Sequence, residues 1–112
     1  MNSKQIALDY WNAWQKPNNW SEVRSMMADD FTFDSGALQT DTADEIVKLM
    51  KKGNPWEDVQ LRECVAEGGK VAICYEGTDS MTKTRFRISE MITVDPDRGK
   101  VISAWVNMSD LG

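Results

Sequence analysis

From Trp56 to the end, the chain reads as four runs of alternating residues, EDVQLRECVAE, KVAICYEGTD, TRFRISEMITV and GKVISAWVNMS. The runs are divided by turn signals at Gly68-Gly69, Asp79-Ser80 and Asp95-Pro96-Asp97-Arg98-Gly99. Period-two alternation bounded by Gly, Pro and Asp is the mark of strands joined by tight turns, so this half predicts a four-strand antiparallel meander. The half before it has another period. Residues 3–16, SKQIALDYWNAWQK, place Ile6, Ala7, Tyr10, Trp11, Ala13 and Trp14 at helical spacing, and Pro17 ends the run. A short second helix, WSEVRSMM, follows an Asn18-Asn19 cap, with Glu22 completing a capping-box pattern and Val23, Met26 and Met27 as its buried side. FTFDSG then alternates as a short strand ending on Asp34, and TADEIVKLMKK over residues 42–52 is a third helix. Thr42 and Glu45 form its capping box, Ile46, Leu49 and Met50 its apolar side, and Gly53 its end. The expected class is α+β: a curved antiparallel sheet wrapped around three helices from the N-terminal half.

With 112 residues the chain makes one domain, 1–112, and a hydrophobic content of 41% with five Trp can build a core without staples. Thirteen basic residues against eighteen acidic ones give a net charge of −5, and the basic residues do not cluster, so nucleic acid is not an expected partner. No apolar run reaches the length of a membrane span, and the start MNSKQIALDYW lacks a signal-peptide pattern. These features predict a soluble, cytoplasmic protein with no membrane association. Cys64 and Cys74 fit free thiols in a reducing compartment. They flank the Gly68-Gly69 turn, and one residue of register decides whether they face each other. The chain contains no His, which removes imidazole bases and His-based metal sites and leaves carboxylates, Tyr, Lys or Cys for acid–base chemistry. No cofactor and no metal is expected.

One carboxylate breaks the pattern of its strand. In RFRISEMITV, Phe86, Ile88, Glu90, Ile92 and Val94 share a face by parity, so Glu90 falls in the middle of the apolar side. A carboxylate there must be paired, hydrogen-bonded or protonated. Arg62, Arg24 and Arg85 are the candidate partners for a purely structural role; a pocket is the other reading. A curved sheet over a few helices encloses a conical space suited to a small ligand. In the last strand Ala104, Val106 and Met108 share one face with Ile102, and Trp105 and Asn107 share the other, so either face could line it.

The order of these elements and the words MADDFTFDSG, TADEIVKLM and GKVISAWVNMSD resemble the SnoaL-like polyketide cyclases and ketosteroid isomerases of the nuclear transport factor 2-like superfamily, over essentially the whole chain. The resemblance implies a cone-like α+β barrel with a pocket inside it and a homodimer formed through the outer sheet face. It places Tyr10 at the oxyanion donor on the first helix, Asp34 at or one residue from the proton-transferring base, and Glu90 at the late-strand acid. That enzyme is the standard worked case of a carboxylic acid held neutral by an apolar site. Asp34 is followed by Ser35-Gly36 rather than Pro, and Asp-Ser-Gly is also a good turn former. The expected ligand is a small apolar carbonyl compound bounded by Trp14, Phe86, Ile88, Val106 and Met108. The expected activity is a cofactor-free isomerase, cyclase or dehydratase; the alternative is a non-catalytic ligand-binding or dimerisation domain. An epoxide hydrolase of the superfamily would need an Arg between two pocket acids.

Overall fold

A computed structural model of the chain describes residues 2–53 and 56–112. Three helices and six strands follow one another as α1 (Ser3–Gln15), α2 (Trp20–Ser25), β1 (Met27–Asp34), β2 (Gln39–Thr40), α3 (Ala43–Met50), β3 (Trp56–Glu67), β4 (Lys70–Asp79), β5 (Arg85–Asp95) and β6 (Lys100–Asp110). The strands form one curved, unclosed sheet in the order β2-β1-β6-β5-β4-β3. β3 to β6 are the expected antiparallel meander. β1, however, runs parallel to β6, with Phe33 opposite Ala104 and Asp34 opposite Trp105. The sheet is therefore mixed, not antiparallel throughout. Parallel neighbours need a long crossover, and here the chain between β1 and β6 supplies α3 and four further strands.

Local chemistry explains most element ends. Asn2 caps α1 by accepting from the Gln5 amide at 2.8 Å, and the Thr42 hydroxyl caps α3 by accepting from the Glu45 amide at 3.2 Å. Glu45 reaches back one residue further than a capping box requires, to the Asp41 amide. Asn19 makes no side-chain cap. Its Nδ2 donates instead to Glu22 and to the Ala13 carbonyl, tying α2 to the end of α1. Met27 belongs to β1 rather than to α2, because the helix stops at Ser25 and the buried Met27 pairs with Val101. The buried side of α3 is Ala43, Ile46 and Val47, while Leu49 is exposed: the helix turns its first two turns, not its end, toward the sheet.

α1 crosses the concave face of β3 to β6, and α2 and α3 sit beside β1. The core lies between these layers. Ile6, Ala7, Tyr10 and Trp11 of α1 meet Val71, Ile73 and Tyr75 of β4, Ile88, Ile92 and Val94 of β5, and Val101, Ala104 and Val106 of β6. Val101 and Ala104 both face inward because the register slips between Thr93 and Val94, so a bulge interrupts the parity that would group Ile102 with Ala104. Two glycines sit where the sheet is crowded, and at Gly69 the backbone leaves no room for a side chain. A Cβ on Gly69 would meet the Val94 carbonyl oxygen at 2.8 Å, and one on Gly77 would press on the Trp56 ring at 3.3 Å. Cys64 and Cys74 are both free, and their registers, opposite Ile73 and Glu63, put them on opposite faces of the hairpin.

Candidate functional site

Strand parity brings Glu90 to the inner face, directly opposite Ile73 on one side and Val106 on the other. Tyr75 lies two residues from Ile73 on the same face, which makes it the diagonal neighbour of Glu90. From above, α1 lowers Tyr10 and Trp11 toward the same spot. Trp11 meets Tyr75 edge-on at 5.2 Å between ring centroids, and Tyr10 stacks edge-on to Trp14 and tilted against Phe31, each at 6.1 Å. Among the described residues no arginine pairs with Glu90. Arg24 is held by Asp29 and Asp44, and Arg62, Arg85 and Arg87 gather around Glu76 on the outer face.

The electrostatics follow from this setting. Glu90 keeps some accessible surface, but its carboxyl is surrounded by apolar groups. Burial pushes its pKa up to about 7, opposed in part by hydrogen bonding from the Tyr75 hydroxyl. Tyr75 is raised well above an ordinary phenol by burial first, then by the charge of Glu90 and the hydrogen bond to it. Tyr10 is raised as well, by burial and then by Glu90, with the Trp14 side chain opposing the shift. Both phenols therefore stay protonated donors, while the carboxyl divides between its two forms near neutrality.

The expected site residues separate into three groups. Glu90 and Tyr10 come together. Trp14 and Phe86 are half-buried beside this centre or toward its rim, with Phe86 edge-on to Trp56 at 5.7 Å. Ile88 and Val106 are core residues flanking Glu90, and Met108, on the same face opposite Ile88, is 53% exposed. Asp34 is not brought to Glu90. It alternates against the inward Phe33, shares the outer face with Trp105, and spends its carboxylate on the Gly36 amide at 2.8 Å and on Gln39 at 3.1 Å. Its turn-forming reading describes where it stands. Tyr75 was not among the sequence candidates, although KVAICYEGTD alternates Val71, Ile73 and Tyr75 on one face. Placing Tyr75 next to Glu90 required the register of β4 on β5, which depends on how the chain turns between Asp79 and Arg85.

Two clefts lie elsewhere. A groove of about 500 Å³ between α2 and α3 is bordered by Trp20, Arg24, Asp44, Lys48 and Lys51. A shallower depression of about 110 Å³ on the outer face is bordered by Met91, Thr93, Ser103 and Trp105. Arg24 does lie between two acids, 2.6 Å from Asp29 and 2.7 Å from Asp44. Both carboxylates are largely exposed, so this clamp joins α2 to β1 and α3 at the surface, with Arg24 and Asp44 on the border of the open groove and Asp29 outside it.

No protein-family model and no curated protein matches the chain. Solved structures do. An NTF2-like protein of unknown function from Cytophaga hutchinsonii ATCC 33406 superposes with a TM-score of 0.81 at 14% identity, covering 97% of this chain and 91% of that one. The chain has the nuclear transport factor 2-like fold. A steroid delta-isomerase from Pseudomonas aeruginosa superposes with a TM-score of 0.77 at 15% identity, over 99% of this chain and 82% of that one. An LEH-like epoxide hydrolase from M. tuberculosis gives a TM-score of 0.79 at 14% identity, with 96% and 82% covered. Within this fold the nuclear transport factor 2-like cone places Glu90, Tyr10, Tyr75 and Trp11 on its inside and Trp105 and Asp34 on its outside.

Proposed function

We propose that the protein is a small-molecule enzyme that moves a proton on an apolar carbonyl compound without a cofactor, using Glu90 as its single acid–base group. The observation that carries this reading is a carboxyl on the inner face of β5 that has no ion-pair partner among the described residues and is held near neutral pKa beside two protonated phenols. A base works best when its pKa lies near the working pH. In the proposed step the ionised carboxylate takes the proton from the carbon next to the carbonyl, the C–H electrons become the new C=C bond, and the oxygen gains negative charge. Protonated Glu90 then returns the proton to carbon, so atoms and charge balance over the cycle. A phenol donor aimed at the oxygen stabilises the charge as it develops. Asp34 has no part in this scheme, since its oxygens face a turn.

The test is turnover of a panel of enolisable ketones and ketosteroids by the wild type and by Glu90→Gln. Loss of a base of this kind costs about 10²- to 10⁴-fold. Equal turnover by both proteins would sink the proposal. The second reading, a binding or dimerisation domain without turnover, is favoured by one observation: Tyr10, Trp11, Phe31 and Tyr75 fill the space beneath the helix, and neither cleft described above reaches Glu90.

A homodimer belongs to the same proposal. Trp105, 64% exposed, stands directly opposite Met91 on the outer face, with Val65 also exposed on that side. A sheet face of this kind gains by being covered. Sedimentation at micromolar concentration is expected to give a dimer for the wild type and a weakened one for Trp105→Glu; a monomeric wild type would remove the claim.

A further inference from the structure

We infer that the groove between α2 and α3 is a binding site of its own, suited to a flat aromatic carboxylate and separate from the Glu90 centre. The inference stands on different residues from the proposed proton transfer and does not need it. The groove measures about 500 Å³, within the size range of small-ligand sites. Its two walls are built by helical spacing. Asp44, Val47, Lys48 and Lys51 form one stripe along α3 and its C-cap, across from Ser21 and Arg24 of α2 and the ring of Trp20. Arg24 fixes one end: its guanidinium holds Asp44 at 2.7 Å and Asp29 at 2.6 Å, which ties both helices to β1. The other lining residues precede Arg24 on α2 and follow Asp44 on α3, so the groove runs away from this clamp. Trp20 is itself braced, edge-on to Trp14 at 6.1 Å between ring centroids. Walls set before a ligand arrives lower the cost of binding it.

The distribution of charge decides what the groove can take. At the clamp one cation is matched by two carboxylates. Further along, Lys48 and Lys51 are exposed and, among the described residues, neither forms an ion pair. Val47, 7% exposed, provides an apolar floor, and half-buried Trp20 an aromatic wall. An occupant that satisfies all of these is flat and apolar where it lies against the indole and singly anionic at the end near the lysines. A doubly charged phosphate suits the place less well, because the planar donor fork of Arg24 is already spent and the C-terminal end of α3 carries negative partial charge. The Asn18 amide and the Ser21 hydroxyl at the border are neutral donors for a carboxylate oxygen. Lysines at the end of a helix offset its dipole without any ligand. That role does not explain an aromatic ring standing across open space from them in place of a closed helix–helix contact.

The probes are 2-naphthoate and 2-naphthamide, which has nearly the same shape and no charge. Each is titrated into ¹⁵N-labelled protein while the five Trp indole N–H signals and the backbone amides are followed, the Trp20 indole being assigned with Trp20→Phe. Naphthoate at millimolar concentration is expected to move that indole and the amides of Val47, Lys48 and Lys51, while those of Tyr75 and Glu90 stay in place. It should bind about five- to tenfold more tightly than naphthamide at low salt, as two exposed charges provide. The preference should shrink at high salt. Lys48→Gln combined with Lys51→Gln should reduce naphthoate to the affinity of naphthamide; both side chains are exposed, so the fold does not depend on them. Equal affinity of the wild type for the two probes overturns the anionic site. A Trp20 signal that does not move, whether nothing binds or the shifts fall on Tyr75 and Glu90 instead, overturns the groove as a site altogether. Neither result bears on turnover by Glu90→Gln, so this inference and the acid–base reading fail separately.

Discussion

Glu90→Gln is expected to make the protein more stable above about pH 7, by up to about 3 kcal/mol, while removing the proposed activity. The sign follows from the direction of the shift. Burial raises the folded-state pKa of Glu90 from the ordinary 4.5 to about 7, so the folded state holds this proton more tightly than the unfolded chain does. Below about pH 4.5 the carboxyl is neutral in both states and imposes no penalty. Between about pH 4.5 and 7 the unfolded chain ionises first, and stability falls as pH rises. Above that window the full cost of burying the charge is present. The accessible surface that Glu90 retains lets water share that charge, which makes the figure an upper bound. Glutamine is neutral throughout and has nearly the same shape, so the pH-dependent loss should vanish from its stability curve. Urea denaturation of the two proteins at about pH 5 and about pH 8 measures this directly. Parallel pH profiles would show that Glu90 is not ionised at a cost, and the case for a tuned acid–base group would fall with it. A residue that destabilises the folded state and is kept on the inner face is what a stability–activity trade-off looks like.

Phe31→Ala is expected to cost about 3–5 kcal/mol, a large part of the about 5–15 kcal/mol available to a domain of this kind. Phe31 is fully buried, lies on the short strand that carries α2 and α3, and packs its ring 6.1 Å from that of Tyr10. Removing it loses the transfer energy of the ring and leaves a cavity that β1, hydrogen-bonded on both sides, cannot easily collapse. The cavity would open beside Tyr10, so the variant should also loosen the first helix over the site. Chemical denaturation gives the stability change, and near-ultraviolet circular dichroism reports the packing of Tyr10 and Trp14. A loss below about 1 kcal/mol would mean that the helix layer repacks freely.

Much of the fold could be read from the chain because its signals are local. Proline after α1, the Thr42 cap, the Gly68-Gly69 turn and period-two alternation after Trp56 each act within a few residues, so they survive in a one-dimensional reading. Where the reading departed from the structure, the deciding contact was distant. Met27 joins a strand because Val101 lies beside it, and β1 runs parallel to β6 because α3 and four strands carry the chain around. The candidate site divides the same way. Parity alone put Glu90 among Ile88 and Ile92, but it could not say whether Arg62, Arg24 or Arg85 would reach it. The structure sends Arg62 and Arg85 to Glu76 and Arg24 to Asp29 and Asp44. Asp34 shows the cost of one residue of register, since a single step in an alternating strand exchanges pocket for surface.

What the sequence determined by itself is a carboxylate on the apolar face of a strand and the helices and strands that surround it, because alternation and capping are set by neighbours in the chain. What only the tertiary structure decided is the company that carboxylate keeps. Tyr75 and Tyr10 come from β4 and α1, far apart in the chain, and they meet Glu90 through strand register and the angle at which a helix crosses a curved sheet. Those are products of the packed core, in which every long-range contact must close at once.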